Sequence, residues 1–157
     1  FLIYDFTFYM EKFLKKIKPK RISELQSYTG GAEVFKPPEY MVAKVVDVYD
    51  GDTCTVVCRI SSKLCTNKVR LLRIDTEEIR QPRNEPNREA LKALALEEKA
   101  NLESQILNKL VALKTIGNDS FGRMLCEVYT LDFENNKPKL GFNVNDWMLD
   151  HGTRKYS

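Results

Sequence analysis

Residues 42–60 constrain this chain more than any other stretch. Val42–Tyr49 and Thr53–Ile60 are two runs rich in β-branched residues, and Asp50-Gly51 between them is a dipeptide suited to a tight hairpin turn. Val69–Ile74 reads as a third strand, apolar except for Arg70 and Arg73. Pro82 and Pro86 make residues 79–87 an exposed loop. A helix over Asn87–Leu107 follows, with Asn87 as N-cap and Leu91, Leu94, Ala95, Leu102 and Ile106 as its apolar stripe. Leu110–Ile116 and Arg123–Thr130 read as two more strands around a glycine-flanked loop, Gly117–Gly122. Asp132–Gly141 reads as a polar connection, and Asn143–His151 as a short helix closed by Gly152. The order β-β-β-α-β-β-α suits an α+β, mainly β, fold. The expectation is a five-stranded OB-fold-type barrel with a long helix between strands 3 and 4 and a short C-terminal helix.

Everything before Met41 has a different texture. Residues 10–22 can be drawn as a short basic helix with Phe13, Leu14 and Ile17 on one side, able to touch nucleic acid or an anionic membrane. A solvated arm is the other reading. Gly30-Gly31 and Pro37-Pro38 then break regularity, so residues 23–40 read as linker. The division expected is an N-terminal basic extension and linker over 1–40 and a barrel domain over 41–157. Charge follows the same line: of a net +3, residues 1–21 hold +4, leaving −1 for the remainder. The barrel is not a basic body, so it must grip any polyanion locally. Phe1–Tyr9 is short, is interrupted by Asp5, and lacks both a positive leader and a small-residue cleavage site. No run approaches the ~20 apolar residues of a membrane helix. The expectations are a cytoplasmic or nuclear location and no stable membrane insertion.

Cys54, Cys58, Cys65 and Cys126 include no C-x-x-C pair, and His151 is the only histidine, so zinc is poorly supported and buried free thiols are expected. Asp47, Asp50 and Asp52 do not fit the EF-hand spacing, and a cysteine nucleophile would have only His151 as its base.

Three separated pieces carry chemistry: Asp50-Gly51-Asp52-Thr53, then Arg70-Leu71-Leu72-Arg73-Ile74-Asp75-Thr76-Glu77-Glu78, then Phe121-Gly122-Arg123. Each alone has an ordinary structural explanation. Together they supply the parts for cutting a phosphodiester. Asp52 and Asp75 can offer carboxylate oxygens to one hard cation, and the Thr76 carbonyl can add a third. Arg70 and Arg123 bring planar forks matched to phosphate oxygens. Glu78 can accept a proton from water.

This pattern of D-G-D-T, R-L-L-x-x-D-T-x-E and a glycine-rich loop ending in G-R resembles the staphylococcal nuclease (thermonuclease) family over about Ala43–Gly152. The resemblance implies Ca²⁺ held by Asp52, Asp75 and the Thr76 carbonyl. It implies a phosphate clamped by Arg70 and Arg123, and Glu78 acting on the attacking water. The implied activity is cleavage of DNA and/or RNA to 5′-hydroxyl and 3′-phosphate ends. The alternative is a catalytically inactive nucleic-acid- or protein-binding module; the presence of all five charged residues argues for the enzyme. Phe121, Lys15 and Lys16 are further candidates for touching substrate, and Asn145 is expected to be structural. The sequence departs from the family pattern in several places. Glu77 stands where proline is usual, which should loosen the turn and add a charge. Phe121 stands where tyrosine is common. The residues given end at Ser157, before a third helix, and the N-terminal extension is expected to cover the surface left exposed.

Strict strand alternation puts Arg70 and Asp75, five positions apart, on opposite faces. Both can enter one site only if the strand bulges or ends between them, and a bulge is expected within Leu71–Asp75.

Overall fold

A computed structural model describes residues 6–31 and 36–155. The parts of the extension at 1–5 and 32–35, and residues 156–157, lie outside them. The chain divides into two units, the first ending at residue 35 and the second beginning at Lys36.

The first unit holds two helices, α1 (Phe6–Leu14) and α2 (Pro19–Gln26), where the sequence suggested one helix over 10–22. Pro19 explains the difference. It has no N–H to donate and pushes the residue before it out of helical geometry, so Lys18 is extended and Pro19 opens a new helix. Lys15 and Lys16 follow α1 and are exposed. Among the described residues no helix is long and apolar enough to cross a membrane.

The second unit is a barrel. Its strands are β1 (Tyr40–Val48), β2 (Thr53–Ile60), β3 (Lys63–Leu71), β4 (Ile74–Asp75), β5 (Leu110–Asn118), β6 (Met124–Glu134), β7 (Lys137–Asn143) and β8 (Arg154–Lys155). Helix α3 (Arg88–Ile106) lies between β4 and β5, and α4 (Val144–Asp150) between β7 and β8. The main sheet runs β3-β2-β1-β5-β6-β7, and a parallel β3–β6 pairing closes β1, β2, β3, β5 and β6 into a ring of five. The core inside it is apolar: Val45, Val56, Val69, Leu71, Leu113 and Val128 among others, capped by Leu102 and Ile106 of α3 and Met148 of α4. The fold is the expected mainly β, five-stranded OB-type barrel.

Several local expectations change. Residues 132–141 are a hairpin rather than a polar connection, because β6 and β7 turn through Asn135-Asn136, both at positive φ (52° and 62°). Ser61-Ser62 makes a similar two-residue turn (φ 48° and 69°), which starts β3 at Lys63, well before Val69. Turns with two left-handed residues match strand twist, and asparagine tolerates them well; serine gives weaker warning. In α3 the inward face is Ala95, Glu98, Leu102 and Ile106, while Leu94 is exposed. Asn87 stands at the N-cap without a side-chain capping bond. Three cysteines are buried, and Cys65 is partly exposed.

The expected bulge between Arg70 and Asp75 is instead a strand end. Leu72 and Arg73 interrupt the extended backbone between β3 and β4, with Arg73 at φ 67°. Asn145, fully buried in α4, holds this break: its Nδ2 donates to Leu72 O (2.9 Å) and Cys126 O (3.1 Å), and its Oδ1 accepts from Val128 N (2.9 Å). An alanine there strands buried polar groups at about 1–3 kcal/mol each. Asn145→Ala should therefore lower the unfolding free energy by about 2–5 kcal/mol in urea titration, with little change in slope. A loss below about 1 kcal/mol would show that Asn145 does not hold the break.

Candidate functional site

The β1–β2 turn supplies two buried acids. Asp50 and Asp52 are each 5% exposed, and Asp52 N donates to Asp50 Oδ1 (3.1 Å). Gly51 between them is not at positive φ, so it does not serve the left-handed turn its dipeptide suggested. It is needed for close approach instead. A Cβ there would lie 2.7 Å from Thr76 Cγ2 and 2.8 Å from Glu98 Cβ. The turn, the segment after β4 and the middle of α3 thus meet at a point where only hydrogen fits.

Asp52 is the hub. Its Oδ2 accepts from Thr76 N (3.1 Å) and Thr76 Oγ1 (2.9 Å), and lies 3.1 Å from Arg70 Nη1. Its Oδ1 accepts from Thr53 Oγ1 (2.9 Å), which in turn accepts a long bond from Arg123 Nη1 (3.4 Å). Arg70 reaches across the strand break, donating to Leu71 O and Ile74 O (3.0 Å each), and its Nη2 stands 3.7 Å from Asp75 Oδ1. Asp52, Arg70, Asp75, Thr76 and Arg123, far apart in sequence, therefore form one connected group. Glu78 is exposed, and its carboxylate makes no hydrogen bond or ion pair among the described residues. It is near enough to Asp50 to oppose that acid's ionisation.

Arg123 is aimed by a residue the sequence reading passed over. Asp119 Oδ2 accepts from Arg123 Nε (2.6 Å), and Asp119 Oδ1 accepts from the backbone N–H groups of Phe121 and Arg123 (2.9 Å each). Burial works against the Asp119 charge, but these donors hold its carboxyl below the usual range. The available signal was an aspartate two residues before Phe121 in a glycine-flanked loop, the spacing of a side-chain-closed turn. Phe121 is 83% exposed, with the Arg123 guanidinium carbon 5.6 Å from its ring centre. Beside these groups opens a cleft of about 350 Å³, lined by Arg70, Arg73, Arg123, Asp119 and the apolar Leu72 and Leu125. Lys15 and Lys16 belong to the other unit, and the group described here is built from barrel residues alone.

The donor set suits a hard cation. Burial, and next the adjacent Asp52 carboxylate, push Asp50 up to about 6. A buried carboxyl raised beside a second buried carboxylate marks a place where added positive charge is favourable, and every donor is oxygen. Among the described residues, no three His, Cys, Asp or Glu side chains form a ready metal cluster. A cation here would need carbonyl oxygen and water to complete its shell.

A family model described as staphylococcal nuclease homologue matches residues 68–156, more than half of the chain. The chain belongs to that family. The match takes in Arg70, Asp75, Thr76, Glu78, Phe121 and Arg123; the hairpin with Asp50 and Asp52 precedes it. No curated protein matches the sequence.

Overpacking a tight core contact typically costs about 1–3 kcal/mol. Gly51→Ala should therefore reduce stability by that amount, read as a lower urea midpoint. A wild-type midpoint would show that the three segments do not meet so closely.

Proposed function

We propose that this chain is a Ca²⁺-dependent nuclease that hydrolyses phosphodiester bonds of DNA, RNA or both, leaving 5′-hydroxyl and 3′-phosphate ends. The observation that carries the reading is the meeting of Asp52, Arg70 and Asp75, 3.1 and 3.7 Å apart, with Arg123 joined to Asp52 through Thr53. Acids that repel a phosphate have a use beside two guanidinium groups if a cation stands with them. Asp52, Asp75 and the Thr76 carbonyl would hold it, and bound Ca²⁺ would supply Lewis acidity at a phosphate oxygen.

The residues do the remaining work. Arg70 and Arg123 present paired donors to phosphate oxygens and stabilise the charge that builds in the transition state. Glu78, exposed and unpaired among the described residues, takes the proton from the attacking water. Leu72 and Leu125 give the cleft an apolar wall for a nucleotide, and Phe121 offers an exposed ring to a base. Lys15 and Lys16 offer further positive charge to nucleic-acid phosphates.

Digestion of plasmid and single-stranded substrates with Ca²⁺, with Mg²⁺ and with chelator tests the reading. Cleavage should need Ca²⁺. Glu78→Gln and Arg123→Ala should each lower it by about 10²–10³-fold, the usual loss on removing a transition-state group. Cleavage that survives chelator, or is unchanged in both folded variants, would contradict the mechanism. Nucleic-acid binding by the unsubstituted chain without cleavage under any cation would make it a binding module instead.

A further inference from the structure

Outside the group just described, one cation stands on the candidate ion site and has no part in the mechanism. Strand β8 pairs with β4, setting Arg154 opposite Asp75 and Lys155 opposite Ile74. The Arg154 guanidinium divides between two acids: Nη2 lies 3.2 Å from Asp75 Oδ2, and Nη1 lies 2.8 Å from Glu77 Oε1. Glu77 is itself fixed. Its backbone N–H donates to Glu98 Oε2 (2.8 Å), and Glu98, on the inward face of α3, is 5% exposed. The charge added by Glu77 therefore does not loosen the turn: the turn is tied to α3 through Glu98 and to β8 through Arg154.

The division of the Asp75 carboxylate matters most. One oxygen, Oδ2, is occupied by Arg154, while Oδ1 faces Arg70 and, through it, Asp52. Without Arg154, Asp75 would be a half-exposed side chain held only by a 3.7 Å contact, free to turn its oxygens to solvent. We infer that Arg154, anchored by Glu77, is a positioning residue that holds Asp75 with Oδ1 turned into the ion site. The inference rests on the nuclease reading only in requiring that Asp75 ligate a divalent cation. Glu77 offsets the charge of Arg154, so the arginine orients Asp75 without placing a net positive charge against the cation.

Both ion pairs are partly open to water, where such pairs contribute little to stability. Losing Arg154 should therefore act on the ion and spare the fold, which separates positioning from a merely structural role. The experiment is a Ca²⁺ titration of the full chain without substrate, followed through the backbone amide shifts of Asp75 and Thr76, alongside thermal melting. Arg154→Gln should weaken Ca²⁺ by about tenfold, a loss typical when the partner of a ligating group is removed, and leave the melting temperature of the ion-free protein unchanged. Arg154→Lys, which keeps the charge but cannot fork between two carboxylates, should lie between. Glu77→Gln should weaken Ca²⁺ in the same direction, and the double substitution should cost less than the sum of the two. Wild-type or tighter Ca²⁺ affinity in Arg154→Gln would overturn the inference and leave the nuclease reading intact. Absence of Ca²⁺ binding by the unsubstituted chain would overturn both.

Discussion

Ending β3 at Leu71 and resuming extended backbone at Ile74 makes the site geometrically feasible. An unbroken strand would send the side chains of Arg70 and Asp75 to opposite faces. The two intervening residues, with Arg73 in the left-handed region, change that parity. Three sets of bonds keep the break in place: Arg70 donating to Leu71 O and Ile74 O, Asn145 donating to Leu72 O, and Leu72 N donating to Cys126 O (2.9 Å). Arg73 is secured separately, forked onto Glu127 (2.5 and 2.8 Å) and reaching Asp146 (2.7 Å). A non-glycine residue at positive φ is locally unfavourable and persists where its surroundings over-determine it. Here those surroundings are β6 and α4, so the C-terminal helix takes part in shaping the site without contributing a reactive group.

The same logic runs through the other pieces. The barrel closes by parallel pairing of β3 with β6, which sets Arg70 level with Leu125 and so brings the loop carrying Arg123 beside the strand carrying Arg70. Antiparallel pairing of β2 with β3 sets Thr53 opposite Arg70, which puts the acidic turn at the same end. The side chains of this group sit at or near strand ends, where other side chains hold them or their backbone by hydrogen bonds. Asp119 does this for Arg123, Thr76 for Asp52, and Glu98 for the residue after Thr76.

The sequence was legible where periodicity and composition are strong. The barrel and the helix between its third and fourth long strands were expected from the residues; an irregularity near Leu71–Asp75 was expected too, but as a bulge rather than the strand end it is. It was less legible where the reason for a residue is tertiary. Asp50-Gly51 correctly marked a hairpin, but for the wrong cause: Gly51 is required by Thr76 and Glu98, which lie 25 and 47 positions away. Glu98 was missed because a charged residue on a helix reads as solvent-facing, whereas here the N–H of Glu77 partners its buried carboxylate. Arg154 gave no local signal at all, since its meaning comes from the pairing of β8 with β4. Pro19, by contrast, was a visible helix start whose consequence for residues 10–22 was underweighted.

In the proposed reading Asp52 and Asp75 share one divalent cation at the broken strand, with Arg70 released from both to meet a phosphate. Anomalous diffraction from crystals grown with Ca²⁺ and a nucleotide bearing a terminal phosphate tests it directly. The account predicts one peak at bonding distance, about 2.3–2.6 Å, from an oxygen of each aspartate, with the Arg70 guanidinium turned to the phosphate. A phosphate bound in the cleft while Arg70 still bridges the two aspartates and no ion lies between them would contradict it.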